Sequence, residues 1–276
     1  MNKKIHVLGG DKRAYFAAEK LVRNGFDVTL CGFDKWLSCK RGISKTNISS
    51  MGKADILLLP VKYSNDGVNI YAPYSSQPLK IREIKNISEK IYLGCCDEHI
   101  LSIAEAAQII DYMQDEAFAR INAALTAQAA YSVIFGKTNV APCESGVLII
   151  GAGRIGTALY KILHSCDCNV FLTSRKTDKN RDYLNTSEIT DYISDFDIVV
   201  NTVPHLVLGQ EEISKMKEGS FIVDLSSHPH GVDFAACSKY KIRSYIELGL
   251  PGRFFPCSAG NAIADVILGE LKVELN

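Results

Sequence analysis

No stretch of this 276-residue chain is apolar for long enough to cross a bilayer: the longest apolar runs, residues 55–61 and 146–150, fall far short of the roughly 20 residues a spanning helix needs. The first residues carry no charged-then-apolar leader, so a cytoplasmic protein with no membrane attachment is expected. No C-x-x-C spacing occurs, and the nine cysteines are an odd number that includes the vicinal pair Cys95 and Cys96. The nearest approach to ligand spacing, Cys166-Asp167-Cys168 beside His164, has no second pair. That pattern argues for reduced thiols and against a metal centre. There is no net charge, with 31 basic against 31 acidic residues, and no stripe of Lys/Arg interleaved with aromatics, so nucleic acid is not an expected partner. Tandem repeats of short period are also missing.

What is present is enough apolar sequence, 47% of 276 residues, to bury two ordinary domains. Residues 1–100 hold 16 of the 31 Lys/Arg and only 10 of the 31 Asp/Glu, an imbalance that suits a small anionic substrate as well as a solvated basic surface. The opening reads as a βαβ unit: a strand at 4–8, helical periodicity over 13–24, a stop at Gly25 and a second strand from Asp27. Ile56-Leu57-Leu58-Leu59-Pro60 is a continuous apolar run ended by proline, as in a strand buried on both faces. Residues 90–94 form a further expected strand, while 109–113 fits either a strand or the end of a helix begun at Ile103. From Asp115 to Phe135 the apolar positions recur at helical spacing with Asp115 placed to cap the start, giving a bridging helix and a domain boundary near 140.

The second half repeats the alternation, with strands expected at 147–150, 169–173, 197–201, 221–224 and 243–246 and a terminal helix over 258–273. The fold class is therefore α/β: two doubly wound Rossmann-like domains, 1–140 and 141–276, each on a parallel sheet, with an interdomain cleft. Gly151-Ala152-Gly153-Arg154-Ile155-Gly156 follows an apolar strand and opens a helix carrying Ala158, Leu159, Ile162 and Leu163. In that context G-x-G-x-x-G marks a dinucleotide site: the first glycine makes the turn, the second admits the pyrophosphate and the third lets helix and strand close. At the end of the next strand, where a carboxylate would take the ribose hydroxyl of NAD, stand Ser174, Arg175 and Lys176. A hydroxyl and two cations suit a 2′-phosphate, so NADP is expected over NAD, with Asp178 a little further on opposing that reading.

Three more loops end strands of the second sheet: Asn201-Thr202-Val203-Pro204, Asp224 to Gly231, and Gly249-Leu250-Pro251-Gly252. They place His205, His228 and His230 where a general acid or base would act near neutral pH, although each also reads as an ordinary exposed loop histidine.

Taken in order, Val7-Leu8-Gly9-Gly10-Asp11-Lys12-Arg13, Leu59-Pro60-Val61, Asn122 with Thr126, the glycine motif with Arg154, Asn201-Thr202-Val203-Pro204, Val223-Asp224-Leu225-Ser226-Ser227, Gly231-Val232-Asp233-Phe234, and Gly249-Leu250-Pro251-Gly252 followed by Ala259-Gly260 resemble the A-subunit family of dipicolinate synthase. The resemblance implies oxidation and dehydration of a hydroxy-tetrahydrodipicolinate to pyridine-2,6-dicarboxylate for spore formation, with hydride passing to NADP. It also implies a partner, the flavoprotein-like B subunit, together with homo-oligomeric assembly and a place in the mother-cell cytoplasm. Asn122, Thr126, Ser226, Ser227, Ser258, Ala259 and Gly260 supply hydroxyl, amide or backbone donors for the two carboxylates. The chain departs from the family at His205, His228 and His230, where members carry smaller or different residues, and at Gln128, where they carry an acid. Two other readings stay open. A D-2-hydroxyacid dehydrogenase shares the two-domain plan but places an arginine after the strand that here ends Val223-Asp224, and Ser226-Ser227-His228 does not match it. A non-catalytic regulatory protein that binds NADP is the other.

Overall fold

The computed structural model describes residues 3–37, 39–175 and 183–274. They form two compact units, Met1–Asn122 with Phe255–Asn276, and Ala123–Phe254. The division falls inside the long bridging helix and not near 140, because the first turns of that helix belong to the first core through Phe118.

The first unit runs β1 (Lys4–Leu8), α1 (Lys12–Arg23), β2 (Asp27–Cys31), β3 (Ile43–Thr46), β4 (Ala54–Leu58), a small antiparallel pair β5 (Asn69–Ile70) and β6 (Leu79–Lys80), then β7 (Ser88–Leu93), α2 (Glu98–Ile103), β8 (Gln108–Asp111) and the start of α3 (Glu116–Phe135), as far as Asn122. Its six-stranded sheet has the order β3-β2-β1-β4-β7-β8, parallel at every step. Both faces are covered, so Ile5 to Leu8 of β1, Ile56 to Leu58 of β4 and Ile91 to Leu93 of β7 are all buried, on alternating faces of the sheet. Ile5, Val7, Val28, Leu30, Ile56, Leu58 and Tyr92 enter the core on one face, and Leu8, Cys31, Leu57, Leu59, Ile91 and Leu93 enter that on the other. Residues 108–111 are a strand, settling the ambiguity of that segment. Asp11 caps α1, accepting the Arg13 amide at 3.0 Å, and the Arg13 guanidinium returns to both Asp11 oxygens at 2.8–3.1 Å.

The second unit contains β9 (Gly146–Ile150), α4 (Arg154–Ser165), β10 (Asn169–Ser174), β11 (Tyr183–Asn185), α5 (Ile189–Tyr192), β12 (Ile198–Asn201), α6 (Gln210–Ser214), β13 (Phe221–Asp224), α7 (Phe234–Tyr240), β14 (Arg243–Ile246) and α8 (Leu250–Phe254). Its sheet order is β11-β10-β9-β12-β13-β14, again all parallel. Both sheets thus have the doubly wound order whose ligand crevice opens between the first strand and its neighbour after the reversal. The edge strands β3 and β11 escape the sequence pattern because Ile-Ser-Lys-Thr and Tyr-Leu-Asn are short and partly exposed, with little apolar alternation to reveal them.

The last helix, α9 (Pro256–Glu274), belongs to the first unit, and Ala262, Ile263, Ala264, Ile267 and Leu271 share a core with Ala14, Tyr15, Ala17, Ala18 and Leu21 of α1. It starts two residues earlier than the sequence periodicity indicates, and that shift changes the reading of 258–260. The Ala259 amide donates to the Phe255 carbonyl at 3.0 Å and is already inside the helical ladder. Gly260 faces α1: a Cβ there would collide with the Arg13 carbonyl oxygen and approach Phe16 Cβ at 2.9 Å and Ala17 N at 3.0 Å. Neither backbone is thus arranged as a carboxylate cradle; the small residues let two helices close. Gly260→Val should force the helices apart and cost about 1–3 kcal/mol as an overpacking change. A thermal melt several degrees below wild type is the expected result, and an unchanged melt would show that α9 slides clear of α1 without loss.

Candidate functional site

In the second unit the glycine motif sits where β9 turns into α4. Gly151 has φ +104° and stands against Thr202 Oγ1 and Val203 Cγ2, which a Cβ would meet at 2.6 and 2.7 Å. Gly156 is closed on the Gly151 carbonyl, so a side chain there has no room and the helix start is held against the turn. Gly153 differs from both: its φ is −79°, and a Cβ would meet nothing within 4 Å. Its missing side chain relieves no contact within the protein. What it leaves open is the face of a cavity of about 600 Å³ lined by Gly151, Ala152, Gly153, Thr173, Ser174, Arg175, Thr186, Thr202, Val203, Pro204, His205 and Val207. The cavity lies at the crevice between β9 and β12 that the strand order dictates. The first-turn amides of α4 open beside it, a natural place for a pyrophosphate.

The loop after β12 is shaped by one buried side chain. Asn201, fully buried, accepts the Val203 amide at 3.0 Å through Oδ1 and donates through Nδ2 to the Val203 carbonyl and to Asp224 Oδ1, both at 2.9 Å. The sequence places it among the cofactor contacts, but both ends of its amide are used inside the fold, and it does not line the cavity. Thr202 Oγ1 donates to the Ile150 carbonyl at 2.9 Å, which leaves Thr202, Val203 and Pro204 facing the cavity. Arg154 and Ile155 open α4 without lining the cavity, and Lys176 and Asp178 lie outside the described residues.

The three histidines part company. His205 lines the cavity, His228 is exposed, and His230 is half-buried with Nδ1 3.2 Å from Asp224 Oδ2. Ser226 is buried on Asp224, its hydroxyl donating at 2.7 Å, whereas Ser227 is exposed. Asn122 and Thr126 stand one turn apart on α3, the first half-buried and the second buried; Ser258 is exposed in the first turn of α9. The loop after β14 is pinned by Glu247, which takes Lys137 Nζ at 2.9 Å and the Arg253 guanidinium at 2.7 Å. Burial pushes the Glu247 carboxyl up, but the hydrogen bonds from Lys137 and Arg253 outweigh it and hold the group below the usual carboxylate range. Sequence reasoning missed Thr186 and the buried Asp224 network. Thr186 follows an edge strand with no pattern of its own, and an isolated Asp gives no sign of burial.

Among the described residues no helix is long and apolar enough to cross a membrane, and no group of three or more His, Cys, Asp or Glu could hold a metal ion.

Residues 4–113 match the family described as the N-terminal domain of the dipicolinate synthase A subunit. Residues 134–231 match the D-isomer specific 2-hydroxyacid dehydrogenase, NAD binding domain. The dipicolinate synthase A subunit of Bacillus subtilis (strain 168) is 26% identical over 290 residues, covering 98% of this chain and 97% of that protein. Over nearly its whole length the chain is similar to the A subunit of dipicolinate synthase. The crystal structure of that subunit from Bacillus subtilis matches with a TM-score of 0.88 at 26% identity, over 99% of this chain and 98% of that one. The corresponding protein from Bacillus halodurans has the same fold, with a TM-score of 0.90 at 24% identity over 98% and 97% of the two chains. With the dehydrogenase match lying across the glycine motif, the second unit is a nicotinamide-dinucleotide domain, as in oxidoreductases.

Gly153→Val separates ligand binding from folding. It should melt with the wild type, since the new side chain enters open space, yet weaken nicotinamide dinucleotide binding at least about tenfold, or ~1.4 kcal/mol. Calorimetric titration beside a thermal melt measures both, and undiminished binding would move the pyrophosphate away from this turn.

Proposed function

We propose that this chain is the oxidoreductase component of a dipicolinate-forming enzyme. On this reading it binds NADP at the β9–α4 turn and oxidises a hydroxy-tetrahydrodipicolinate, with loss of water, to pyridine-2,6-dicarboxylate. It works with a B subunit of flavoprotein type in the cytoplasm of the sporulating mother cell. The observation that carries the proposal is the full-length relationship to the dipicolinate synthase A subunit, joined to a glycine turn that opens on a cavity of about 600 Å³.

The residues present fit a nicotinamide dinucleotide, because the open face of Gly153 is a cradle that a Cβ would fill. Gly151, Gly153 and the first turn of α4 would hold the pyrophosphate. Ser174 and Arg175, at the end of β10, would take the 2′-phosphate, for which a guanidinium offers paired donors. When bound, the nicotinamide supplies the acceptor for a hydride. The protein's part is to place the ring of the substrate and to accept a proton. Asn122 and Thr126, one turn apart on α3, would fix one carboxylate, and the exposed Ser227 would donate to the ligand. His205 on the cavity wall and His228 and His230 after β13 are the groups on hand for proton transfer.

The deciding experiment mixes the purified chain, with and without its partner subunit, with freshly generated hydroxy-tetrahydrodipicolinate and NADP. Pyridine-dicarboxylate and NADPH should appear together; neither appearing in the complete mixture would overturn the proposal. Arg175→Ala should weaken NADP by roughly ten- to a hundredfold, about 1.5–3 kcal/mol for a charge-assisted hydrogen bond, with little effect on NAD. Equal affinity of the unmutated protein for both cofactors would refute the preference. Replacing Asn122 and Thr126 together by alanine should cripple turnover and leave NADP binding intact, read as kcat/KM against a cofactor titration.

A further inference from the structure

Asp224, at the end of β13, has no exposed surface, and its two oxygens are treated differently. Oδ1 accepts the Ser226 amide at 2.9 Å, the Ser226 hydroxyl at 2.7 Å and the Asn201 amide at 2.9 Å. Oδ2 has no hydrogen bond. The group beside it is Nδ1 of His230, at 3.2 Å and itself without a hydrogen bond. Such bonds in ligand-free sites are commonly long or misaligned. A buried carboxylate oxygen left without a donor is costly. The imidazole N–H therefore belongs on Nδ1, which leaves Nε2 of the neutral ring as a bare acceptor.

The backbone holds the ring in this position. His230 sits at φ +72°, in the left-handed region. Next to it Gly231 is pressed onto the loop after β12, where a Cβ would meet the Val203 carbonyl at 2.5 Å and the His205 carbonyl at 2.9 Å, and Val203 and His205 line the nucleotide cavity. The His230 side chain keeps 18% of its surface exposed, while its Nδ1 is buried beside Asp224.

We propose that Asp224 is a positioning residue that locks His230 in the Nδ1–H tautomer, making His230 Nε2, at a position where this chain departs from the family it resembles, its own acceptor of the proton released when the substrate is oxidised. This rests on the function proposed above. In that oxidation the ring loses two hydrogens and two electrons. One C–H leaves as hydride to the oxidised nicotinamide dinucleotide; a neighbouring hydrogen leaves as a proton to Nε2, and its bonding pair becomes a ring double bond.

The test starts with a spectroscopic signature. In protein labelled with nitrogen-15 at histidine, held about two pH units above the ordinary histidine pKa of ~6.5, His230 should show a protonated Nδ1 and a bare Nε2. Asp224→Asn should reverse this. The three donors at Oδ1 hold the new carbonyl oxygen there, so the amide NH2 faces Nδ1 and drives the proton to Nε2. An Nε2–H tautomer in wild type, or no change in Asp224→Asn, would overturn the positioning role. For turnover, His230→Gly is compatible with the left-handed backbone. It should lower kcat about a hundredfold or more, leave NADP affinity unchanged, and recover on addition of free imidazole. Wild-type kcat in His230→Gly, in a protein whose wild type forms dicarboxylate and NADPH, would overturn the proton-acceptor role alone. A wild type that forms neither product overturns that role together with the functional reading, and the tautomer measurement still decides for or against Asp224.

Discussion

A parallel pair of strands cannot be joined by a tight turn; the chain has to cross back over the face of the sheet before the next strand begins. Every pairing in both large sheets of this protein is of that kind. Two consequences follow from the one constraint. The crossovers bury both faces, as the paired clusters around β1, β4 and β7 show. All the strands also end at the same edge, so loops distant in sequence, after Ile150, Ser174 and Asn201, arrive together around one cavity without any contact having to be specified between them in advance.

Within that edge the work is divided between residues that shape the backbone and residues left facing the cavity. Gly151 and Gly156 are glycines because the protein itself fills the space a side chain would need, while Gly153 is free of such contacts and is open toward the cavity. The polar groups divide likewise. Asn201 spends its whole amide on the loop after β12 and on Asp224, and Ser226 spends its hydroxyl on the same carboxylate. A fully satisfied network of this kind in a low-dielectric interior fixes one geometry. Here one oxygen is left short of a donor, and the imbalance points at His230.

The sequence by itself determined the class of fold, the glycine turn, the Asp115 cap of α3 and most of the strands, because these depend on local chemistry: apolar runs of strand length, an Asp ahead of a helix, glycine where no side chain fits. Its misses were of another kind. β3 and β11 are edge strands with mixed, half-exposed residues and carry little periodic signal. Only the fold shows that both ends of the Asn201 amide are occupied within the protein. Gly260 looks like a ligand-facing glycine in sequence and is a helix-contact glycine in the fold, because α1 and α9, from opposite ends of the chain, close at that point. The tertiary structure also chose among the three loop histidines, putting His205 on the cavity, His228 in solvent and His230 on a buried carboxylate. Burial and hydrogen-bond accounting are properties of the packed chain, and a histidine or an asparagine has the same letters whether its nitrogens meet water, backbone or an aspartate.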